Sequence, residues 1–184
     1  MSRRRTPTFS TEYALLGFLH DKPLHGYELH QRLQEAQTLG LVWRVKQAHL
    51  YALLAKLEAD GLIQAELVAQ DARPPKRLLH ITEAGRITFM TWRTTPVGHG
   101  RDLRIEFLAK LFWAQQHSLD DVNRLLAAQR EITETLLSTV RDELTASAAE
   151  EPYIRLVHQF RRGQLEAMLE WLDTCESTLV PVMA

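Results

Sequence analysis

The chain of 184 residues contains eight histidines and a single cysteine, the side-chain types on which many metal sites and nucleophilic mechanisms depend. The histidines are dispersed, and His25 and His30 are five positions apart, a spacing that does not place them on one face of a helix. Cys175 lies at helical spacing from Leu172 and Leu179 and is predicted to belong to an apolar core. The motifs H-E-x-x-H, C-x-x-C and G-x-S-x-G do not occur, so the sequence predicts no metal site, no cofactor and no enzymatic activity.

The distribution of charge indicates a different chemistry. Residues 1–95 carry 13 Lys and Arg against nine Asp and Glu, whereas residues 96–184 carry nine against 14, giving net charges of +4 and −5. A basic half joined to an acidic half predicts that only the first meets an anionic partner such as DNA. The predicted DNA-contacting residues are Lys46, Gln47, Ala48, His49, Tyr51, Ala52 and Lys56 on a helix, Arg73, Lys76 and Arg77 in a loop, and Arg3, Arg4 and Arg5 in an amino-terminal arm.

The helix that would carry the first of these groups runs over about residues 47–60. Its buried stripe is formed by Leu50, Leu53, Leu54 and Leu57. Gly61 follows at the left-handed position that ends many helices. The opposite face carries Ala48, Ala52, Ala55 and Ala59. Such a face is slim enough for a major groove about 12 Å wide, and the amino end of the helix favours phosphate.

The elements around this helix predict how it is positioned. Two helices precede it, over about residues 11–20 and 25–36, and a loop containing Gly40 connects them to it. A strand over residues 63–68, a loop over 70–77 stiffened by Pro74 and Pro75, and a return strand over 78–81 follow. Thr82 is predicted to cap a further helix that ends near residue 92. This order predicts a winged helix-turn-helix with a small β-hairpin wing, in a chain that is otherwise mainly α.

The second half is predicted to be all α-helical. Residues 94–100 interrupt every periodic pattern and suggest a boundary between a domain over residues 1–95 and one over 96–184. Helices follow over about residues 103–117, 118–144 and 152–178, and such long amphipathic helices need a partner surface. The predicted dimer-interface residues are Leu125, Ile132, Leu136, Leu165, Met168 and Leu172. An intramolecular hairpin of these helices is the alternative.

Several stretches of the first half resemble the PadR family of bacterial transcriptional regulators. The matching stretches are residues 15–19, 23–29, 50–54, 57–63 and 81–85, among which the Pro-Leu-His-Gly-Tyr-Glu-Leu run that begins at Pro23 is the most specific. The resemblance implies a DNA-binding winged domain over about residues 12–92. For the longer class of the family, it also implies a helical dimerisation domain. The stretch Lys46-Gln47-Ala48-His49 departs from the family pattern, so the resemblance implies no operator sequence.

A ligand-responsive repressor needs a small molecule that binds one conformation better than another. The longer PadR proteins are similar to sensors of phenolic acids, which implies a small aromatic or phenolic effector. The aromatic and basic residues that could bind it are Phe107, Trp113, Tyr153, His158, Phe160, Arg161, Arg162 and Trp171.

The sequence therefore predicts a homodimeric repressor that binds double-stranded DNA. A lone cysteine favours the bacterial cytoplasm, and no apolar stretch is long enough for a membrane span. The alternative is a winged-helix module that binds protein instead of DNA.

Overall fold

The computed structural model describes residues 11–35, 39–70, 73–146 and 151–179, which divide into two compact units. The first unit contains the described residues up to Arg93 together with Arg104–Trp113, and the second contains Thr94–Leu103 and the described residues from Ala114 onward. The sequence predicts a boundary after residue 95. The segment 104–113 groups with the first unit instead, because Phe112 and Trp113 pack against its core.

The first unit begins with a 3-10 turn, Thr11–Tyr13, that leads into α1 (Ala14–His20). The helices α2 (Gly26–Glu35), α3 (Leu39–Val42) and α4 (Gln47–Ala59) follow. Their apolar faces meet in one core, whose fully buried members include Leu15, Leu16, Leu29, Leu33, Leu50 and Leu57. The helix α3 replaces part of the loop predicted around Gly40. One helical turn that begins at the buried Leu39 is too short for periodicity to reveal.

A three-stranded antiparallel sheet completes the winged domain. Its strands are β1 (Leu24–His25), β2 (Ile63–Gln70) and β3 (Arg73–Ile81), in the spatial order β1-β3-β2. The predicted loop over residues 70–77 was wrong, because Leu67 pairs with Arg77 and Val68 pairs with Lys76 across the hairpin. Arg73, Lys76 and Arg77 therefore lie on a strand. Their charged, proline-containing sequence hides a pairing that backbone hydrogen bonds maintain beyond the edge of the core.

The helix α5 (Glu83–Thr94) begins at the predicted cap, since the Gly85 N–H donates to Thr82 Oγ1 at 3.0 Å. The helix α6 (Glu106–His117) starts beside it with a buried charged group. The Trp92 indole N–H donates to Glu106 Oε1 at 3.1 Å, and Lys110 Nζ lies 3.1 Å from the same oxygen. The ammonium of Lys110 also lies over the Trp92 ring, which gives each of these buried polar groups a partner.

The second unit is built on two helices of 28 residues each, α7 (Leu119–Ala146) and α8 (Pro152–Leu179). They pack side by side and antiparallel, because Arg130 of α7 pairs with Asp173 of α8 and, further along α7, Arg141 pairs with Glu166. The Ser118 hydroxyl accepts a hydrogen bond from the Asp121 N–H at 3.1 Å and caps α7 as predicted. No helix among the described residues is both long and apolar enough to cross a membrane.

The pairing of α7 with α8 changes the status of the predicted dimer interface. Leu125, Leu165 and Leu172 are buried within a single chain, while Ile132, Leu136 and Met168 are half-buried. Leu136 and Leu165 belong to one packed cluster. The apolar stripes that the sequence assigns to a second copy are thus largely covered by the intramolecular hairpin, the alternative that the periodicity left open.

Candidate nucleic-acid interface

The amino-terminal half of α4 presents the largest group of predicted DNA-contacting residues to solvent. Lys46 precedes the helix in an extended conformation, and no side chain caps the helix there. The residues exposed on this half are Lys46, Gln47, Ala48, His49, Tyr51 and Ala52, whereas Leu50 and Leu54 point into the core. Because the first N–H groups of a helix have no partner within it, an uncapped and exposed amino end is suited to an anion.

The position of Tyr51 depends on a glycine in α2. A Cβ atom placed on Gly26 would lie 2.9 Å from Tyr51 Cε1, so the ring rests directly against the glycine backbone. The ring is nevertheless 45% exposed. The helix-turn-helix contact thus orients Tyr51 while leaving it available to a ligand.

Lys56, further along α4, has a partner that the sequence does not reveal. Its ammonium lies 2.5 Å from Oε1 of Glu12, a residue that is buried in the 3-10 turn before α1. The hydrogen bond with Glu12 and the charge of its carboxylate raise the pKa of Lys56. Lys56 is therefore a cation whose charge the protein already balances.

The two described cations of the wing are also engaged. Nη2 of Arg77 lies 2.5 Å from Oε2 of Glu58 on α4, and the Lys76 ammonium lies 5.5 Å from the centre of the Tyr27 ring. His25 connects both contacts: its Nδ1 donates to the carbonyl of Arg77 at 2.8 Å, and its ring stacks on Tyr27. These residues join the wing to the helix-turn-helix instead of projecting from the end of a loop.

The remaining predicted basic residues lie near the hairpin end or outside the structure. Arg73 begins β3 and pairs with Gln70 through the backbone, and its side chain is outside what the structure describes. Arg3, Arg4 and Arg5 lie outside the described residues. Their contribution to binding stays a prediction.

Sequence reasoning missed four residues of this surface: Glu12, His25, Tyr27 and Glu58. Tyr27 and His25 belong to the run beginning at Pro23 that carries the family resemblance, and the exposure of the Tyr27 ring gives them a place on the surface. Glu12 and Glu58 left no signal, because a lone carboxylate on a helix is ordinary until its cationic partner is known.

The aromatic residues predicted for an effector do not form a common wall. Phe107 is fully buried, and Trp113 makes edge contacts with Phe18 and Phe89 in the first unit. Tyr153 and Phe160 are exposed on α8 of the second unit. Within the described residues, no cluster of three or more His, Cys, Asp or Glu could hold a metal ion.

A concave surface of about 600 Å³ lies in the first unit, next to the segment that leads into α4. It is lined by Leu33, Gln34, Gly40, Leu41, Trp43, Arg44 and Val45. An indole ring beside a guanidinium offers both stacking and charge to a planar anion.

An exposed helix beside an antiparallel wing, followed by a separate pair of long helices, defines a winged-helix protein with a helical carboxyl-terminal unit. Residues 15–91 match the model of the transcriptional regulator PadR-like family, and residues 103–180 match the virulence activator alpha C-terminal model. The chain belongs to the PadR-like family of transcriptional regulators, in the longer class that carries this second domain.

Individual relatives are similar at a moderate level. The negative transcriptional regulator PadR of Bacillus subtilis is 26% identical over 140 residues, which cover 74% of this chain and 76% of the relative. A probable transcriptional regulator of Mycobacterium tuberculosis is 28% identical over 89 residues, covering 48% of this chain and 46% of that one.

Two solved structures of Bacillus subtilis PadR are also similar. The complex with operator DNA has a TM-score of 0.47 at 22% identity and covers 96% of this chain and 100% of that chain. The complex with p-coumaric acid has a TM-score of 0.42 at 21% identity, with coverage of 91% and 97%.

Proposed function

We propose that this regulator is a homodimeric repressor that inserts α4 into the major groove of a near-palindromic operator and has no catalytic activity. The carrying observation is the exposed amino-terminal half of α4, where Gln47, His49 and Tyr51 stand at an uncapped helix end. Amide, imidazole and hydroxyl groups can bind base edges and phosphates, and the small side chains of Ala48 and Ala52 leave room for a close approach. Such a protein acts where the DNA is, in the bacterial cytoplasm.

The wing would contribute backbone contacts. Lys76 is held over Tyr27, which limits the side-chain entropy that Lys76 would lose on binding a phosphate. Arg73 starts the strand at the far end of the hairpin, in position to follow the DNA backbone beyond the helix. These contacts would set the orientation of α4 in the groove without reading sequence.

A second copy of the chain is the partner that we assign to α8. Tyr153, Leu156 and Phe160 are 74%, 62% and 66% exposed, and their spacing of three and four residues places them on one face of the helix. Large apolar side chains grouped in this way mark an association surface. Since one winged domain buries little surface on DNA, a twofold dimer would place two α4 helices about 34–36 Å apart on adjacent turns.

The test is a titration of the protein with the DNA that flanks its gene, followed by fluorescence anisotropy. The double variant Gln47→Ala/His49→Ala is expected to lose about 10- to 100-fold in affinity for the selected operator, because each base contact contributes about 1–3 kcal/mol. Its affinity for unrelated duplexes is expected to change much less.

A matched control removes the same side-chain types from exposed positions in the second unit, Gln116→Ala/His99→Ala. This variant is expected to bind as the wild type does. Wild-type binding should weaken steeply with salt because counterions are released. Binding of a protein ligand to the winged domain, with no salt-dependent binding to any duplex, would support the protein-interaction alternative and overturn the proposal.

A small phenolic effector is part of the proposal. The surface lined by Trp43 and Arg44 supports it, since an aromatic carboxylate could stack on the indole and pair with the guanidinium. Calorimetric titration with p-coumarate is expected to show binding in the wild type and a loss of at least tenfold in Arg44→Gln, because a charged hydrogen bond contributes about 1.5–3 kcal/mol. Equal affinity in the variant would exclude this surface as the effector site.

A further inference from the structure

Two of the cations on the DNA-facing surface are backed by carboxylates from other elements. Lys56 has a side chain that is 56% exposed, but its partner Glu12 is only 10% exposed. Arg77 and Glu58 show the same arrangement with exposures of 57% and 34%. In both pairs the cation lies toward solvent and the carboxylate lies beneath it. A duplex approaching this surface would meet cations whose counterions are already part of the protein.

This arrangement affects one component of DNA binding more than the other. Sequence-independent affinity comes from phosphate contacts that release counterions from the DNA, and each one adds about 0.9 to the logarithmic salt slope. A cation already paired with a carboxylate neutralises a phosphate less effectively, because the carboxylate remains close to the new anion. Contacts to base edges by Gln47 and His49 do not depend on that charge.

We propose that Glu12 and Glu58 are specificity-determining residues that suppress binding to unrelated DNA by balancing the charges of Lys56 and Arg77. The inference rests on the proposed function, since it concerns how the same surface separates operator from other sequences. It assigns the two carboxylates a role beyond holding elements together: they lower the sequence-independent affinity and leave the discriminating contacts at the amino end of α4 intact. The genome offers a large excess of unrelated sites, so such a reduction favours occupancy of the operator.

The experiment compares Glu12→Gln and Glu58→Gln with the control Glu83→Gln. All three variants remove one negative charge from the first unit, but Glu83 lies exposed in the first turn of α5. A duplex of random sequence is titrated by anisotropy at 50, 100 and 200 mM NaCl, and the selected operator is titrated in parallel. Circular dichroism and urea unfolding verify that each variant is folded.

Each test variant is expected to bind the random duplex more tightly, by up to about 15-fold at 50 mM NaCl and about fourfold at 200 mM, which corresponds to one additional phosphate contact. The salt slope should steepen by up to about 0.9, and the ratio of operator to random affinity should fall. A purely structural role would change the urea midpoint without steepening the slope. The exposed side of the Arg77–Glu58 pair makes Glu58→Gln the decisive variant if Glu12→Gln does not fold.

Two failures are distinguishable. If the wild type binds DNA and both test variants match Glu83→Gln in slope and random-duplex affinity, the inference is overturned while the proposed function stands. If neither the wild type nor any variant binds a duplex at 50 mM NaCl, the proposed function fails, and this inference fails with it.

Discussion

At the scale of single residues, Gly85 shows how closely α5 packs against the turn before β2. A Cβ atom added at this position would lie 2.1 Å from the carbonyl oxygen of Leu62 and 2.9 Å from Cγ1 of Ile81. Because the first of these atoms belongs to the backbone, the clash cannot be relieved by a side-chain rotation. We expect Gly85→Ala to lower the free energy of unfolding by about 1–3 kcal/mol, measured by urea denaturation.

Gly163 provides the control for that substitution. It lies in the middle of α8 with open space where a Cβ would stand, so Gly163→Ala is expected to raise stability by up to about 1 kcal/mol through helix propensity. Equal effects of the two substitutions would contradict the close packing of α5.

Cys175 gives a pH dependence whose direction follows from burial. Burial raises the pKa of its thiol to about 11 from an ordinary value of 9.0. Between these two pH values the unfolded chain has lost the thiol proton and the folded chain retains it. The unfolded state therefore binds fewer protons, and the free energy of unfolding falls as pH rises, by about 1.4 kcal/mol per pH unit for a fully buried thiol.

Two measurements check this prediction. Iodoacetamide at pH 8 should leave Cys175 unmodified in the native protein and alkylate it in urea, as read by mass spectrometry. Urea unfolding from pH 9 to pH 11 should show a smaller loss of stability in Cys175→Ala than in the wild type. Rapid alkylation of the native protein would show that the thiol is accessible.

At the scale of elements, the sequence predicts those features that repeat along a helix. The stripe of leucines in α4 places that helix over residues 47–60, and the structure has Gln47–Ala59 with Gly61 at a φ of +71°. The helix α3, the strand β1 and the outer half of the hairpin were missed, because each is short or depends on a pairing partner. Periodicity carries no information on such elements.

The candidate site divides in the same way. The exposed face of α4 follows from the positions of its leucines, since residues opposite a buried stripe must meet solvent. The partners of Lys56 and Arg77 could not be predicted, because Glu12 and Glu58 are 44 and 19 residues away along the chain. Only the packing of the 3-10 turn and β3 against α4 brings them together.

The link between residues 94–103 and α7 gives a prediction at the element scale. Gln129 is buried, and its side chain accepts from the Val97 N–H at 2.8 Å and donates to the Val97 carbonyl at 3.2 Å. Gln129→Leu would leave both backbone groups buried without these partners, at a cost of about 1–3 kcal/mol for each group. We expect faster hydrogen exchange at the Val97 amide and a lower urea midpoint.

The exposed Gln164 of α8 supplies the comparison. Gln164→Leu alters the same functional group without removing a buried hydrogen bond, so the Val97 amide should exchange as in the wild type. An unchanged exchange rate in Gln129→Leu would show that the amide of Gln129 does not hold this segment.

At the scale of the whole molecule, the proposed dimer determines which substitutions can test it. Leu165 and Leu172 are buried between α7 and α8 of one chain, so a charge at either position would disrupt that hairpin whether or not a second copy binds. Phe160 is suited to the test, because it is 66% exposed in the single chain and belongs to the strip with Tyr153 and Leu156.

We expect the wild type at micromolar concentration to sediment with twice the mass of a single chain and Phe160→Glu to sediment as a folded monomer. In a twofold contact the new carboxylate would be buried without a partner in both copies, which is strongly unfavourable. The monomer should also lose operator affinity, because it presents one α4 helix instead of two. Ile87→Glu places the same charge on an apolar residue of the first unit that is 58% exposed, and it should remain a dimer. A wild type that sediments as a monomer would exclude both the contact through α8 and the near-palindromic operator.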